Sequence, residues 1–421
     1  MANVLKRFCS AGTGEGARAA SMAVAARMLL IASAILSGCA ATQKLAPEPL
    51  AQADAAMQRS VDAAQIPGGV LWIEQGVASH HKAFGMKAAG GREPATEDTV
   101  YDVASLTKPV VIATLVQILR ERGLLDMDAP VSRYLPACAS VSGATLRDLL
   151  THASGLPERL PDSDPFKQTA DLSSVAMPQA ERDGRISQAV DRVCAQKAEP
   201  EPGRQFSYSN LNFLLLAEIL ARVSGRPLQD LARVEMFEPL GMSHSAFLPL
   251  ERGVRVADIA PTAKPTEAWE RGAVADSTAR RMGGVAGHAG LFTTAADLAR
   301  LARMLLNDGV GDSGHRLLSH ESIVLLETPQ SPQGVSGLRS LGWDIATGYS
   351  SPRGSVYPEG PSFGHSGFTG CAFWLDPGSR SFYILLTNRV SLPQSASLLA
   401  LYRELGTLAA KAAGLKPVAA P

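Results

Sequence analysis

Residues 102–119 read DVASLTKPVVIATLVQIL, and the meaning of this stretch governs the rest of the chain. Positions three apart are neighbours on a helix, so a helix opening here puts Ser105 and Lys108 on one face. Val110, Val111, Ile112, Leu115, Val116, Ile118 and Leu119 follow, which leaves no polar side for water and predicts a helix enclosed by protein. The Lys108 amine then sits where charge is costly, and a buried amine tends to give up its proton. A neutral Lys108 can take the Ser105 proton and free the oxygen to attack a carbonyl. The same two residues also fit a plainer account, with Ser105 capping the helix while Lys108 reaches solvent or pairs with Asp102. S-x-x-K fixes only two positions, so further parts of a catalytic site must be sought.

Outward from this helix the pattern changes twice. Upstream, Pro49–Gln65 carries helical spacing through Leu50, Ala53, Met57 and Val61, and Gly68–Gln75 and Ala78–Phe84 read as two strands about a glycine turn. Downstream to about Asn307 the signals are helical: Val110–Arg122, Leu146–Thr151, Asn212–Ser224 closed by Gly225, and Ala295–Asn307 closed by Asp308-Gly309. Strands return at CAFWL (371–375) and SFYILLT (381–387) around Asp376-Pro377-Gly378-Ser379, followed by a closing helix over 395–413. The expected class is therefore α+β: an antiparallel β-sheet flanked by helices, plus an inserted all-helical lobe. The sheet lobe takes 49–104 and 310–421, the helical lobe 105–309, and two long irregular segments are expected at 157–195 and 329–362.

Forty basic residues balance forty acidic ones, with no Lys/Arg cluster interleaved with aromatics, so nucleic acid is not an expected partner. The 46% hydrophobic content is ample for a sizeable core. Residues 28–38 (MLLIASAILSG) are apolar, follow Arg18 and Arg27, and are too short to span a bilayer. Residues 1–38 thus read as a signal peptide, with Met22 an alternative start, and 39–48 as a tether. Leu36-Ser37-Gly38-Cys39 resembles the bacterial lipobox, which implies lipid attachment at Cys39; Ala40 after it implies the outer membrane where a cell has one. An ordinary secretory peptide is the alternative. Of the other cysteines, Cys138 and Cys194 are the pair to test for a bridge in an exported protein. There is no C-x-x-C or H-E-x-x-H, so neither a metal nor a cofactor is expected, and His80-His81 reads as an exposed strand edge.

Two further motifs stand far downstream: Tyr208-Ser209-Asn210 in PGRQFSYSNLNF and His365-Ser366-Gly367 in FGHSGFTG. With S-x-x-K they resemble the serine β-lactamase and penicillin-binding protein superfamily, which carries S-x-x-K, Y-x-N and K/H-T/S-G in this order. LLTHASGLP (149–157), LGM (240–242) and GGVAGHAGLF (283–292) add to a likeness running from about residue 66 to the C-terminus. The Y-x-N element is similar to the class C branch. The resemblance implies a β-lactamase/transpeptidase-like fold and an acyl-enzyme on Ser105, with Lys108 and Tyr208 sharing the proton transfers. It implies that Asn210 binds the substrate amide or Lys108. His365, Ser366 and Gly367 would form an edge strand along the substrate, Gly367 allowing close approach, and the Ser105 and Phe368 amides an oxyanion hole. Taken singly, Tyr208 also fits a core aromatic and Asn210 a helix cap. His152 and His288 read as structural, and Asp276 as the partner of a nearby arginine. His365 stands where many β-lactamases have lysine, a form the family uses in D-Ala-D-Ala carboxypeptidases and esterases. The expected function is a serine hydrolase of an envelope peptide, ester or lactam, with peptidoglycan stem peptides as natural substrates; a class C-like β-lactamase and a penicillin-binding sensor without turnover are the alternatives.

Overall fold

In a strand, successive side chains point to opposite faces, and here both faces are apolar, so the sheet must be covered twice. A computed structural model describes residues 44–138, 141, 143–169, 177–262, 270–392 and 397–417. Its strands are β1 (Gly68–Gln75), β2 (Ala78–Gly85), β3 (Tyr101–Asp102), β4 (Phe292–Thr293), β5 (Leu338–Arg339), β6 (Asp344–Ala346), β7 (Phe363–Ser366), β8 (Ala372–Asp376) and β9 (Ser381–Thr387). Seven form one antiparallel sheet in the order β2-β1-β9-β8-β7-β6-β5, and β3 pairs with β4 apart from it. Leu71, Ile73, Trp374, Tyr383 and Leu385 pack with the helices Pro47–Asp62 and Leu399–Ala412. Their neighbours Val70, Phe373, Phe382, Ile384 and Leu386 face the large core shared with the helical lobe. The α+β class, with its flanked sheet and helical lobe, is the observed one, and His80 and His81 do lie on the edge strand β2.

The expected boundaries shift in physically informative places. Residues 157–195 are not one irregular run: Gln179–Cys194 is a helix, concealed in sequence because its buried face is only Arg182, Ala189, Val190 and Val193 and Gly184 interrupts it. The 329–362 segment supplies the short strands β5 and β6, whose few residues give no readable alternation. The helix after Ser105 starts as a three-residue turn at Ala104–Leu106, continues as a π-helical stretch over Lys108–Ala113, and becomes α-helical only at Thr114–Glu121. Pro109, which has no N–H to donate, lies in the wide stretch. Cys138 and Cys194 are joined in a disulfide that ties the end of Gln179–Cys194 to the loop before Leu146. The signal peptide 1–38 and Cys39 lie outside the described residues. Of the expected tether, the part from Lys44 is described, and it is attached, Ala46 N–H donating to Ala412 O at 2.8 Å.

Near the site the backbone of Gly287 packs directly on the helix Asn210–Ser224, since a Cβ there would stand 2.0 Å from the Phe213 carbonyl oxygen. Gly287→Ala should therefore cost about 3 kcal/mol or more. Gly184, with open space around its missing Cβ in the Gln179–Cys194 helix, should respond oppositely, Gly184→Ala gaining about 0.5–1 kcal/mol. Urea midpoints at unchanged m-value measure both.

Candidate active site

Ser105 is presented by a strained turn. Ala104 adopts φ +47, a left-handed conformation that costs an alanine on the order of 1 kcal/mol. Asp102 holds it there: Oδ1 accepts from Ala104 N at 2.8 Å while Oδ2 accepts from Ala275 N at 2.7 Å. Asp102 is thus engaged by backbone and is not the partner of Lys108. Thr107 Oγ1 donates to Ala104 O at 2.7 Å, closing the turn beneath Ser105.

Lys108 is fully buried, and its Nζ stands 3.0 Å from Ser105 Oγ and 3.0 Å from the carbonyl oxygen of His288. The rings of Tyr208 and Phe213 lie 5.1 and 5.8 Å from the amine. Burial pushes its pKa down to about 7; Asp276 and Glu158 oppose this, and Arg339 adds to it. A neutral amine donates one N–H to the His288 carbonyl and turns its lone pair to the Ser105 hydroxyl. This arrangement can extract a proton.

Tyr208 is set by the loop that carries His152. Ser207 N donates to His152 O, Ser209 N to His152 Nδ1, Ser209 Oγ to Pro157 O and Asn210 N to Glu158 O, all between 2.7 and 2.9 Å. The His152 ring stacks on Tyr208 at 4.4 Å, and His152 itself has φ +58. Burial and the nearby Arg339 and Lys108 hold its pKa well below the usual value, so the ring is neutral and Nδ1 is an acceptor. His152 is structural in the sense that it positions the phenol. Burial pushes the Tyr208 hydroxyl up to about 12, against a hydrogen bond with Ser105. Asn210 opens the helix Asn210–Ser224 but does not cap it; Ser209 is the N-cap residue. Asn210 makes no bond with Lys108, and its Oδ1 is a buried acceptor with no partner among the described residues.

Ser105, Tyr208, Asn210, His365, Ser366, Gly367 and Phe368 all line one cleft of about 760 Å³. Strand β7 is not a sheet edge as expected. β8 flanks it on one side and β6 on the other, but β6 pairs only at Gly364, so His365 and Ser366 run past it. Gly367 serves a different close approach from the expected one, because a Cβ would meet Val103 O at 2.4 Å. That contact brings the Phe368 turn against the Ser105 turn. Arg389 steadies the turn, donating from Nε to Phe368 O at 2.7 Å and lying 4.9 Å from the Phe368 ring. His365 Nδ1 is 2.7 Å from Ser366 O, and burial with Arg339 and Lys108 nearby keeps its pKa well below the usual value. His365 is therefore neutral, not partly charged.

Two groups escaped sequence reasoning. Arg339 is wholly buried behind the site; it reaches Asp344 at 3.3 Å and Gly342 O at 3.2 Å, and lies 5.7 Å from the Phe206 ring. It disfavours protons on Lys108, His152 and His365 alike. No local signal marks it, since a lone arginine in a Gly/Ser-rich segment reads as surface. The second is a pairing: Asp276 binds His288 Nε2 at 2.9 Å in place of the expected arginine. His288 is buried, and its carbonyl is the one that Lys108 contacts.

A serine, a buried lysine and a tyrosine beside an antiparallel sheet define a serine hydrolase. The chain belongs to the Beta-lactamase family, whose model matches residues 53–407. An Escherichia coli (strain K12) protein provisionally named a D-alanyl-D-alanine carboxypeptidase is 28% identical over 378 residues, covering 82% of this chain and 83% of its own length. Among solved structures, a class C β-lactamase from Rhodobacter sphaeroides is similar with a TM-score of 0.61 at 21% identity, covering 85% of this chain and 97% of that one. The octameric penicillin-binding protein homologue from Pyrococcus abyssi gives a TM-score of 0.63 at 23% identity, covering 84% and 76%.

The depressed Lys108 pKa has a cost for folding. Between pH 7 and 10.5 the unfolded lysine binds a proton that the folded one has released, so the fold loses on the order of 5 kcal/mol as pH falls across that window and carries the full penalty below pH 7. The penalty shrinks as pH rises toward 10.5, where the unfolded amine also becomes neutral. Lys108→Met should abolish turnover yet raise stability at pH 7 by about 2 kcal/mol, with the gain fading above pH ~10. Denaturant melts of both proteins across this pH range measure it.

Proposed function

We propose that the protein is an envelope-facing D,D-carboxypeptidase that removes the terminal D-alanine of peptidoglycan stem peptides through a Ser105 acyl-enzyme. The observation that carries this reading is the Lys108 amine, fully buried and 3.0 Å from Ser105 Oγ. The carboxypeptidase name of the Escherichia coli relative, matched over 82% of this chain, supports the substrate class. The envelope location rests on the signal-like residues 28–38 and the lipobox-like 36–39, with anchoring through lipid on Cys39 and the domain facing the periplasm.

In acylation, neutral Lys108 takes the Ser105 proton as Oγ bonds to the substrate carbonyl carbon. The Ser105 and Phe368 amides receive the developing oxyanion. Tyr208 keeps its proton at neutral pH because burial raises its pKa to about 12, so it acts as the acid toward the leaving amine. Lys108, then an ammonium, resupplies the phenol. In deacylation a water gives its proton along the same route and attacks the ester, releasing Ser105. Asn210 Oδ1 is the acceptor for a substrate N–H.

A second reading, hydrolysis of an uncharged ester, is favoured by one observation. His365 is neutral, and Tyr349, Phe368 and Leu399, exposed by 49%, 64% and 51%, line the same cleft and give it an apolar mouth.

Three substrates separate the readings: a diacetyl-Lys-D-Ala-D-Ala peptide, a chromogenic cephalosporin and a short-chain aryl ester. Release of D-alanine supports the proposal; ester cleavage alone supports the second reading. Cephalosporin cleavage alone makes it a lactamase, and stable labelling by a fluorescent penicillin without any turnover makes it a sensor. Ser105→Ala should lose every one of these activities by at least ~10³-fold, and retention of any would remove Ser105 as nucleophile. The acid limb of kcat/KM should fall near pH 7, activity rising with pH as Lys108 loses its proton.

A further inference from the structure

The pairing of Asp276 with His288 lies behind the Lys108 amine and has no place yet in the reaction. Asp276 caps the short helix Ser277–Arg281, Oδ1 accepting from Ala279 N at 2.8 Å, and the same oxygen is 2.9 Å from His288 Nε2. The ring of His288 is 2% exposed, and its Nδ1 has no hydrogen-bond partner among the described residues, so Asp276 is its polar anchor there. The peptide carrying His288 is fixed from the opposite side as well, where Gly287 lies against the Phe213 carbonyl. Its own carbonyl receives the Lys108 N–H at 3.0 Å. Asp276 also lines the cleft with Ser105.

We propose that Asp276 and His288 are positioning residues for Lys108: the carboxylate clamps the ring, the clamped residue aims its carbonyl at the amine, and the Asp276 charge behind that carbonyl tunes the amine as a base. This rests on Lys108 being the base of the reaction. The carbonyl consumes one N–H and so directs the lone pair to Ser105, while the anion behind it favours the ammonium. The other charged or titratable groups facing the amine are Arg339 from β5, Glu158 from the loop after His152, Tyr208 ahead of its helix, and His152 and His365. Arg339 disfavours the proton, Glu158 favours it, and both histidines are held neutral. Burial opposes ionisation of Asp276, but the adjoining His288 ring and its hydrogen bond, the Ala279 amide and Lys108 outweigh it and hold the carboxyl well below the usual range. Asp276 is accordingly an anion throughout the working pH range.

Removing the anion should make Lys108 easier to deprotonate. In Asp276→Asn the acid limb of kcat/KM should move to lower pH by about one unit, and kcat should drop about tenfold as the carbonyl loses its aim. Asp276→Ser keeps an acceptor for the Ala279 amide without the charge and should show the same shift. Asp276→Glu, which keeps the charge, should return the limb toward the wild-type pH. A loss of packing alone would lower activity at all pH values without moving the limb. The profiles are measured with whichever substrate the wild type turns over, and unfolding curves establish that each variant is folded. Where the Asn variant does not fold, the Ser variant carries the test, and 15N-lysine NMR titration of Lys108 in folded, inactive Ser105→Ala proteins with and without Asp276→Ser reads the same shift without turnover. A wild-type limb near pH 7 that stays in place in both uncharged variants overturns this proposal and leaves the base assignment standing. A wild type with no such limb overturns both.

Discussion

Removal of water from the Lys108 amine is the constraint on which the remaining site depends. A lysine in solution keeps its proton until well above neutral pH, and a serine hydroxyl beside it would stay a hydroxyl. Enclosure between Tyr208, Phe213 and the His288 carbonyl changes that. Arg339 works in the same direction from behind; it is a cation that stays charged and cannot follow Lys108 into neutrality. Opposing them are Asp276 and Glu158, so the amine's behaviour is a balance of burial and one buried cation against two carboxylates. The long apolar run after Lys108 exists to make this enclosure, because a helix with any polar face would admit water along it.

Precision around that amine comes from two residues forced into left-handed backbone. Ala104 and His152 have φ of +47 and +58, and each is locked by polar contacts to other parts of the chain. Ala104 is held by Asp102, which simultaneously grips Ala275 in the segment leading to Asp276. His152 is held through both its carbonyl and its ring to the strand of residues that presents Tyr208. Strain of this kind persists only when its surroundings over-determine it. Ser105 and the Tyr208 phenol are therefore mounted on separate, rigid turns.

How much of this was legible follows from the range of the interactions. Ser105 and Lys108 are local partners, and Tyr208 and His365 lie in short motifs whose order along the chain is itself informative, so the cluster could be named from sequence. The sheet and its hairpin were legible from short, nearly continuous apolar runs bounded by turns, above all the Asp376-Pro377-Gly378-Ser379 turn. The Gln179–Cys194 helix was not, because a face built on Arg182 and small residues has little hydrophobic period. Strands β5 and β6 are two and three residues long, below the length at which alternation can be read. Arg339 and the Asp276–His288 pair were invisible for a different reason. Their meaning lies wholly in contacts across the fold, and an arginine in a polar segment carries no sign that it will end with 0% exposure.

The neutral His365 shows how the same physics limits substrate choice. A lysine at that position could meet a carboxylate with a full charge. His365 instead spends Nδ1–H on the Ser366 carbonyl, and burial, with Arg339 and the Lys108 amine nearby, resists any further proton. With that N–H spent, the neutral imidazole can offer only the Nε2 lone pair, an acceptor, to whatever lies in the cleft. Recognition of an anionic substrate end must then come from donors other than the imidazole, the Ser366 hydroxyl among them, where β7 runs past β6. An extended backbone laid beside that strand would be held through its amides, which suits a peptide; an ester, having fewer donors, would rely on the apolar mouth formed by Tyr349, Phe368 and Leu399.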